Sequence, residues 1–140
     1  AMAGIQRLNF AESNILPFET DVMIPAAGQG AIGMVARTND KEIMEIISDL
    51  NHIESFTCIL AERMVLQNFG GSCFQPIAAF ANFDDDGKIT INSMISNDDG
   101  TLHHNVKEYA QRDTVMDIAG DIGRRLLEYY DKSLKRTVNS

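Results

Sequence analysis

Several features that would narrow the class of protein are scarce or absent in this sequence. It has no tryptophan, three prolines and two cysteines, Cys58 and Cys73, neither of which belongs to a Cys-x-x-Cys pair. Two cysteines are too few for the disulfide framework of a small secreted domain. No apolar run approaches the ~20 residues of a membrane-spanning helix, and no charged-then-apolar signal segment opens the chain. These absences predict a soluble protein of the cytoplasm or a similar reducing compartment, with no membrane partner.

Positive charge is also in short supply. The 140 residues include 12 Lys and Arg against 20 Asp and Glu, which gives a formal net charge of −8. A surface with this balance does not concentrate polyanions, so we expect no nucleic-acid partner. With 44% hydrophobic residues the chain can nevertheless bury one core.

The first third of the chain has the pattern of connecting segments. Residues 1–8 are compatible with a helix, but no Ser, Asp or Asn precedes them to cap it. A connector with two prolines follows, and the short apolar run at about 31–37 predicts a strand. Behind a cap at Asn39 or Asp40, apolar residues then recur at helical spacing on one face; these are Ile43, Ile46, Ile47 and Leu50.

The remainder alternates between helical and strand periods. Asn51 and Glu54 stand at capping-box spacing before a helix that Gly70 and Gly71 end. We expect this helix to bury Phe56, Ile59, Leu60 and Leu66. A period of two over residues 75–83, 88–95 and 101–109, interrupted by Asp- and Gly-rich turns, predicts an antiparallel meander.

A long amphipathic helix closes the pattern. Asp113 is its predicted cap, and its apolar side is formed by Val115, Ile118, Ala119, Ile122, Leu126 and Tyr130. The predicted fold class is therefore α+β, a three-stranded antiparallel sheet with helices on one face.

Two motifs match part of the residue pattern of a binding signature but lack the rest of what that signature requires. Gly28–Gly33 reads GxGxxG, but no strand precedes it and the next helix starts near Asn39, so we interpret it as a glycine-rich connector. Asn82, Asp84, Asp86 and Gly87 resemble the first half of a calcium loop, but the position of its bidentate Glu is Ser93. A hairpin turn explains these residues better, and no metal site is predicted.

The two cysteines differ in their surroundings. Cys58 falls within a helical apolar pattern, where a thiol usually packs as a small hydrophobic group. Cys73 follows Gly70-Gly71-Ser72, where a helix ends and a strand is about to begin. A glycine-rich connection leaves a thiol accessible and suits covalent attachment. From position alone, a packing role for Cys73 stays open.

Four separated blocks of the sequence resemble porphobilinogen deaminases, also called hydroxymethylbilane synthases. They are AGIQRL at residues 3–8, IPAAGQGAIG at 24–33, LNHIE at 50–54 with AER at 61–63, and GGSCFQPI at 70–77. Their order along the chain is that of the family. Val35, Phe74, Gln75 and Ala78 depart from its usual residues.

The resemblance implies the last part of a three-domain enzyme. Residues 1–50 would be the tail of domain 2, the return strand and the hinge helix, all incomplete, and residues 51–140 would be the C-terminal cofactor-attachment domain. Such an enzyme joins four porphobilinogen units, each losing ammonia, onto a cysteine-linked dipyrromethane primer in tetrapyrrole biosynthesis.

The same resemblance assigns roles to three residues. Cys73 would carry the dipyrromethane cofactor through a thioether, Gln29 would lie near that cofactor, and Arg7 would bind substrate carboxylates. It places no catalytic acid–base group in this sequence, so we expect the chain alone to be inactive and not necessarily to assemble the cofactor.

The partners implied are porphobilinogen and the growing oligopyrrole. We expect the full enzyme to be monomeric and the chain alone to self-associate through residues 21–37. The alternative is that this segment folds back onto its own domain. The alternative function is a small α+β ligand-binding or regulatory module in which Cys73 is structural.

Overall fold

The structure, a computed structural model, describes residues 2–8, 15–70, 76–97, 100 and 103–138. Four helices and three strands follow one another along these residues. They are α1 (Met2–Arg7), α2 (Lys41–Ser48), α3 (Ile53–Phe69), β1 (Ile77–Phe83), β2 (Ile89–Ser96), β3 (His103–Ala110) and α4 (Val115–Val138).

The three strands form one antiparallel sheet in the order β1-β2-β3. Its first hairpin is closed by Asp84, whose Oδ1 accepts hydrogen bonds from the backbone N–H groups of Asp86 (3.1 Å) and Lys88 (2.8 Å). Gly87 completes this turn at φ 76°, a left-handed conformation that favours glycine. The predicted meander is confirmed, with each strand within two residues of its expected bounds.

Helices α3 and α4 pack against each other and against the same face of the sheet. The strand residues on that face alternate with residues on the other, as the pleat requires. The core formed between helices and sheet consists mainly of Val65, Phe69, Ile89, Ile91, Ile95, Val115, Ile122 and Leu126. The predicted α+β class, with helices on one face of a three-stranded sheet, is confirmed.

The predicted buried face of α3 was only partly correct: Ile59 and Leu66 are half-buried, and Leu66 packs against the core. Phe56 is 50% exposed and Leu60 39% exposed, whereas the helix buries Cys58, Ala61, Glu62, Val65 and Phe69. Because α3 is apolar on more than one side, periodicity alone did not select the side that packs. The side that packs is the one that contacts α4 and β1.

The start of α3 also differs from the expected capping box. His52, not Asn51, is the N-cap, and its Nδ1 accepts a hydrogen bond from the Ser55 backbone N–H at 3.3 Å. Asp40, one of the two candidate caps of α2, is confirmed in that position.

Residues 31–37 form no strand in this structure. A strand needs a neighbour to pair its backbone groups, and the described sheet offers them none. Helix α2 shares this lack of partners, because none of its residues is buried. Its predicted apolar face exists, but it faces solvent.

Helix α4 is 24 residues long and strongly amphipathic. Its buried residues Val115, Ala119, Ile122 and Leu126 lie on the predicted apolar side. The ring of Tyr130 meets Phe69 of α3 edge-on, with centroids 5.8 Å apart. No helix in the described part of the chain is both long and apolar enough to cross a membrane.

The two main helices are in close contact at Gly123. A methyl group at this position would collide with the carbonyl oxygen of Val65 and lie 2.8 Å from Cβ of Asn68. At Gly120, one turn earlier on α4, the nearest atoms to an added methyl group are 3.5 Å away, on Arg124 and Asn68. The spacing of α3 and α4 therefore depends on Gly123 and not on Gly120.

This pair gives a matched test of helix packing. We expect Gly123→Ala to lower the free energy of unfolding by about 1–3 kcal/mol, because overpacking forces the helices apart. Gly120→Ala should be neutral or stabilise by up to ~1 kcal/mol through higher helix propensity. Urea denaturation followed by circular dichroism measures both, and equal effects of the two substitutions would contradict the proposed close contact.

Candidate functional site

Cys73 lies outside the described residues, in the connection between α3 and β1. The structure describes both ends of that connection. Helix α3 ends at Phe69, and its C-cap Gly70 (φ 128°) donates its N–H to the Gln67 carbonyl oxygen at 3.4 Å. On the other side, the Pro76 carbonyl oxygen accepts a hydrogen bond from Ser96 N–H at 2.9 Å. The segment that contains Cys73 thus begins and ends on elements of the core.

Gln29 lies in a tight turn of the connector, defined here as residues 15–40. Its backbone N–H donates to the Ala26 carbonyl oxygen (2.9 Å), and its side-chain Oε1 accepts from Ala26 N–H (3.2 Å). The flanking Gly28 and Gly30 both have positive φ, 72° and 85°. The turn is therefore well defined, and the exposed Gln29 can offer its amide nitrogen as a donor.

Glu62 holds this turn and was not predicted as a functional residue. It is 4% exposed on the buried side of α3. Its two carboxylate oxygens accept hydrogen bonds from Gly28 N–H (2.6 Å) and from Ala81 N–H in β1 (2.9 Å). A signal existed in the sequence, since Glu62 is four residues after Cys58 and three before Val65, at a core position.

Burial changes the acid–base properties of two neighbouring groups. It raises the pKa of Glu62 above its usual range, while the hydrogen bonds from Ala81 and Gly28 act in the opposite direction. Burial also raises the pKa of the Cys58 thiol to about 11, and the negative charge of Glu62 adds to this. Cys58 is 7% exposed, so its predicted structural role is confirmed.

A second carboxylate attaches the connector to the opposite face of the sheet. Asp21 accepts a hydrogen bond from Asn92 Nδ2 at 3.1 Å and forms an ion pair with Lys107 Nζ at 3.4 Å. These partners lie on β2 and β3, so the connector crosses the outer face of the sheet before it reaches Glu62. Asp21 and Asn92 are 71 residues apart, and no sequence pattern indicated their contact.

Arg7 lies apart from these residues. It is exposed in the last turn of α1, and no other described element packs against that helix. Of the three predicted site residues, the structure thus places Gln29 beside the α+β unit and does not bring Arg7 to it.

The two motifs set aside on sequence have clear structural contexts. Gly28–Gly33 leads into an irregular segment that reaches α2 only at Lys41, so no helix N-terminus follows the glycines. The Asp84 carboxylate is used within its own hairpin turn. Within the described ranges, no three His, Cys, Asp or Glu residues come together in a way that could hold a metal ion.

Two family models match the chain in succession. One described as "Porphobilinogen deaminase, dipyromethane cofactor binding domain" matches residues 1–45, and one described as "Porphobilinogen deaminase, C-terminal domain" matches residues 56–129. The second range covers most of α3, the whole sheet and most of α4.

Curated relatives carry the same name. The chloroplastic porphobilinogen deaminase of Pisum sativum is 38% identical over 130 residues, which is 91% of this chain and 35% of the pea protein. The porphobilinogen deaminase of Coxiella burnetii (strain Dugway 5J108-111) is 35% identical over 136 residues, 97% of this chain and 44% of that protein. The chain thus spans 35% of the length of the first of these relatives and 44% of the length of the second.

The raised pKa of Cys58 predicts that its thiol reacts slowly with alkylating reagents. Relative to a thiol at the ordinary value of 9.0, a pKa of about 11 lowers the thiolate fraction at pH 8 about a hundredfold. In a Cys73→Ser chain, which keeps one thiol, we expect iodoacetamide to alkylate Cys58 at least about a hundredfold more slowly in buffer than in concentrated urea. Intact mass over time measures both rates, and equal rates would show that Cys58 is accessible.

Proposed function

The chain belongs to the porphobilinogen deaminase family, and we propose that it supplies the cofactor-holding part of a hydroxymethylbilane synthase. In this reaction four porphobilinogen units are joined head to tail. Each addition forms a carbon–carbon bond, breaks the carbon–nitrogen bond of an aminomethyl group and releases ammonia, and hydrolysis then frees the linear tetrapyrrole. One observation carries the proposal: Cys73 lies between α3 and β1, two elements within the match to the C-terminal domain.

The donor set of the chain fits a dipyrromethane group. Such a group carries acetate and propionate carboxylates, which need hydrogen-bond donors or cations. Gln29 offers an amide nitrogen for these carboxylates, and Cys73 offers a thiol for attachment. When bound, the dipyrromethane supplies the pyrrole end to which porphobilinogen units are added.

Cys73 serves as a tether. Its Sγ would form a thioether to the methylene carbon of an aminomethyl group, whose nitrogen would take up the thiol proton and leave as ammonia. That thioether bond would persist while products are made and released. A tether must keep its end in place relative to the rest of the site. The ordered ends of its connection at Gly70 and Pro76 support that role, because both are bonded to the core of the domain.

Gln29 and Arg7 have binding roles in this proposal. Gln29 orients the cofactor through its side-chain amide, and Arg7 binds a carboxylate of the substrate or of the growing chain. We assign no catalytic group to this chain. The general acid–base group that the loss of ammonia requires belongs to the part of the relatives that the chain does not match, so the chain alone is inactive.

The alternative, a ligand-binding module with a structural Cys73, predicts a different intact mass. Cys73 with a thioether-linked cofactor adds the mass of two pyrrole units to the chain. A binding module would carry an unmodified thiol even when joined to the rest of a deaminase.

The proposed role of Cys73 predicts a complete loss of function on substitution. We expect a chimera in which this chain replaces the matching part of the Pisum sativum deaminase to consume porphobilinogen and release one ammonia per unit. Cys73→Ser in that chimera should reduce both to background and remove the cofactor mass, because a serine hydroxyl is a weak nucleophile without activation. Porphobilinogen loss, ammonia release and intact mass measure these effects.

Cys58→Ser is the matched control, since it makes the same change at the buried cysteine. It should retain the cofactor and most activity, and the chain alone serves as the inactive reference. An active Cys73→Ser chimera, or cofactor mass found on Cys58, would contradict the assignment.

For the compartment we propose the cytoplasm, on the basis of the two unpaired cysteines expected from the sequence. The names of the pea and rice relatives include the word "chloroplastic", which describes those proteins.

We further propose that the full enzyme is monomeric and that the chain alone self-associates through the part of residues 21–37 that its own domain leaves uncovered, since Asp21 and Gly28 are bonded to that domain. This segment exposes large apolar side chains, including Ile32 (94%) and Val35 (99%). Apolar surface and unpaired backbone groups together favour pairing with a second copy.

Substitution of those side chains tests the association. Fully burying each would contribute about 1.5–3 kcal/mol, so Ile32→Ser with Val35→Ser should weaken a dimer by about a hundredfold or more. Leu50→Ser, at a 65% exposed position after α2, is the control and should leave the association unchanged. Light scattering over a concentration series measures the mass. A strict monomer at all concentrations would refute the proposal.

A further inference from the structure

Glu62 stands out because its carboxylate is buried in the α+β unit yet bonds to the connector. A buried carboxylate is costly unless hydrogen bonds satisfy it. The two N–H groups that do so, Gly28 and Ala81, belong to segments far apart in sequence, 34 and 19 residues from Glu62. One side chain therefore joins α3, β1 and the connector.

The bond to Ala81 satisfies a backbone N–H on the unpaired edge of the sheet. In the order β1-β2-β3, one side of β1 has no neighbouring strand among the described residues. The Glu62 carboxylate takes the place of a strand at one N–H of that side. Its second oxygen then brings Gly28 to the same edge through a short hydrogen bond of 2.6 Å, which the charge of the carboxylate strengthens.

The geometry of the turn transmits this contact to Gln29. Gly28 has φ 72°, and the next residue is Gln29, which is bonded to Ala26 by both backbone and side chain. The turn is therefore a small closed unit. Fixing the Gly28 N–H fixes where the Gln29 side chain stands relative to α3.

We propose that Glu62 is a positioning residue that fastens the Gly28–Gln29–Gly30 turn to the open edge of β1. It thereby keeps Gln29 at a fixed place relative to α3, the helix after which Cys73 follows in the sequence. The fastening itself is a property of this chain, whereas its effect on the cofactor rests on the proposed function.

The direct test is nuclear magnetic resonance on the chain itself. The Gly28 and Ala81 amide signals should shift together with pH as Glu62 titrates, with a midpoint above 4.5, because burial raises the pKa of this carboxyl. The titratable side chain that lies beside Glu62 on α3 is Cys58, which ionises only near pH 11, while β1 and the connector present N–H groups to it. The acidic step therefore reports Glu62.

Glu62→Gln should remove that step and speed hydrogen exchange of the Gly28 amide about tenfold or more, since an amide oxygen replaces a charged acceptor. Glu62→Asp should restore the pH-dependent step for at least one of the two amides. Glu54→Gln makes the same change at an exposed position two turns earlier on α3. It should alter neither the acidic step nor the exchange rate of the Gly28 amide.

A Gly28 amide that keeps its exchange rate in Glu62→Gln, or that shows no acidic step in the unsubstituted chain, would overturn the fastening. The second result needs no variant, so it decides the question even where Glu62→Gln fails to fold.

The effect of Glu62 on cofactor attachment is tested in the chimera with the Pisum sativum deaminase. Glu62→Gln should lower the fraction of molecules that carry the dipyrromethane, and adding Gln29→Ala to it should cause little further loss, because the two residues act in series. Additive losses would overturn the positioning of Gln29. A chimera that never acquires the cofactor, even unsubstituted, would refute the proposed function and leave the resonance result to stand by itself.

Discussion

The arrangement of the connector on the domain depends on the buried carboxylate of Glu62. A negative charge at 4% exposure is tolerated only where donors replace the lost water, and here both donors are backbone N–H groups. Backbone donors cannot swing away as a side chain can. The requirement to satisfy one charge therefore fixes the spacing between α3, the edge of β1 and the Gly28 turn.

Much of the α+β unit could be predicted from sequence periodicity. Strands with a period of two and turns such as Asp84–Gly87 act locally, and the apolar stripe of α4 is narrow enough to have one solution. The buried face of α3 could not be predicted in this way. Its side is set by α4, which approaches Val65 and Asn68 closely only because Gly123 has no side chain.

The functional residues also divide into those that local sequence indicates and those that depend on distant contacts. Cys73, Gln29 and Arg7 came from blocks of sequence that resemble a family, and such blocks carry residue identity without geometry. Glu62 and Asp21 act through contacts with residues 34 and 71 positions away. Neither a helical nor a strand period encodes pairs of that kind, so their roles became visible only in three dimensions.

Magnitudes decide which of the two carboxylates holds the connector. Asp21 and Lys107 are 66% and 46% exposed, and an ion pair so open to solvent contributes about 0–1 kcal/mol. Hydrogen bonds to a charged acceptor contribute about 1.5–3 kcal/mol each, and more is lost when a buried one is broken. The contacts of Asp21 therefore attach the connector weakly to the outer face of the sheet, while the hydrogen bonds of Glu62 attach it strongly at Gly28. Since Gln29 is the next residue after Gly28, the strongest attachment of the connector lies at the position proposed to need it most.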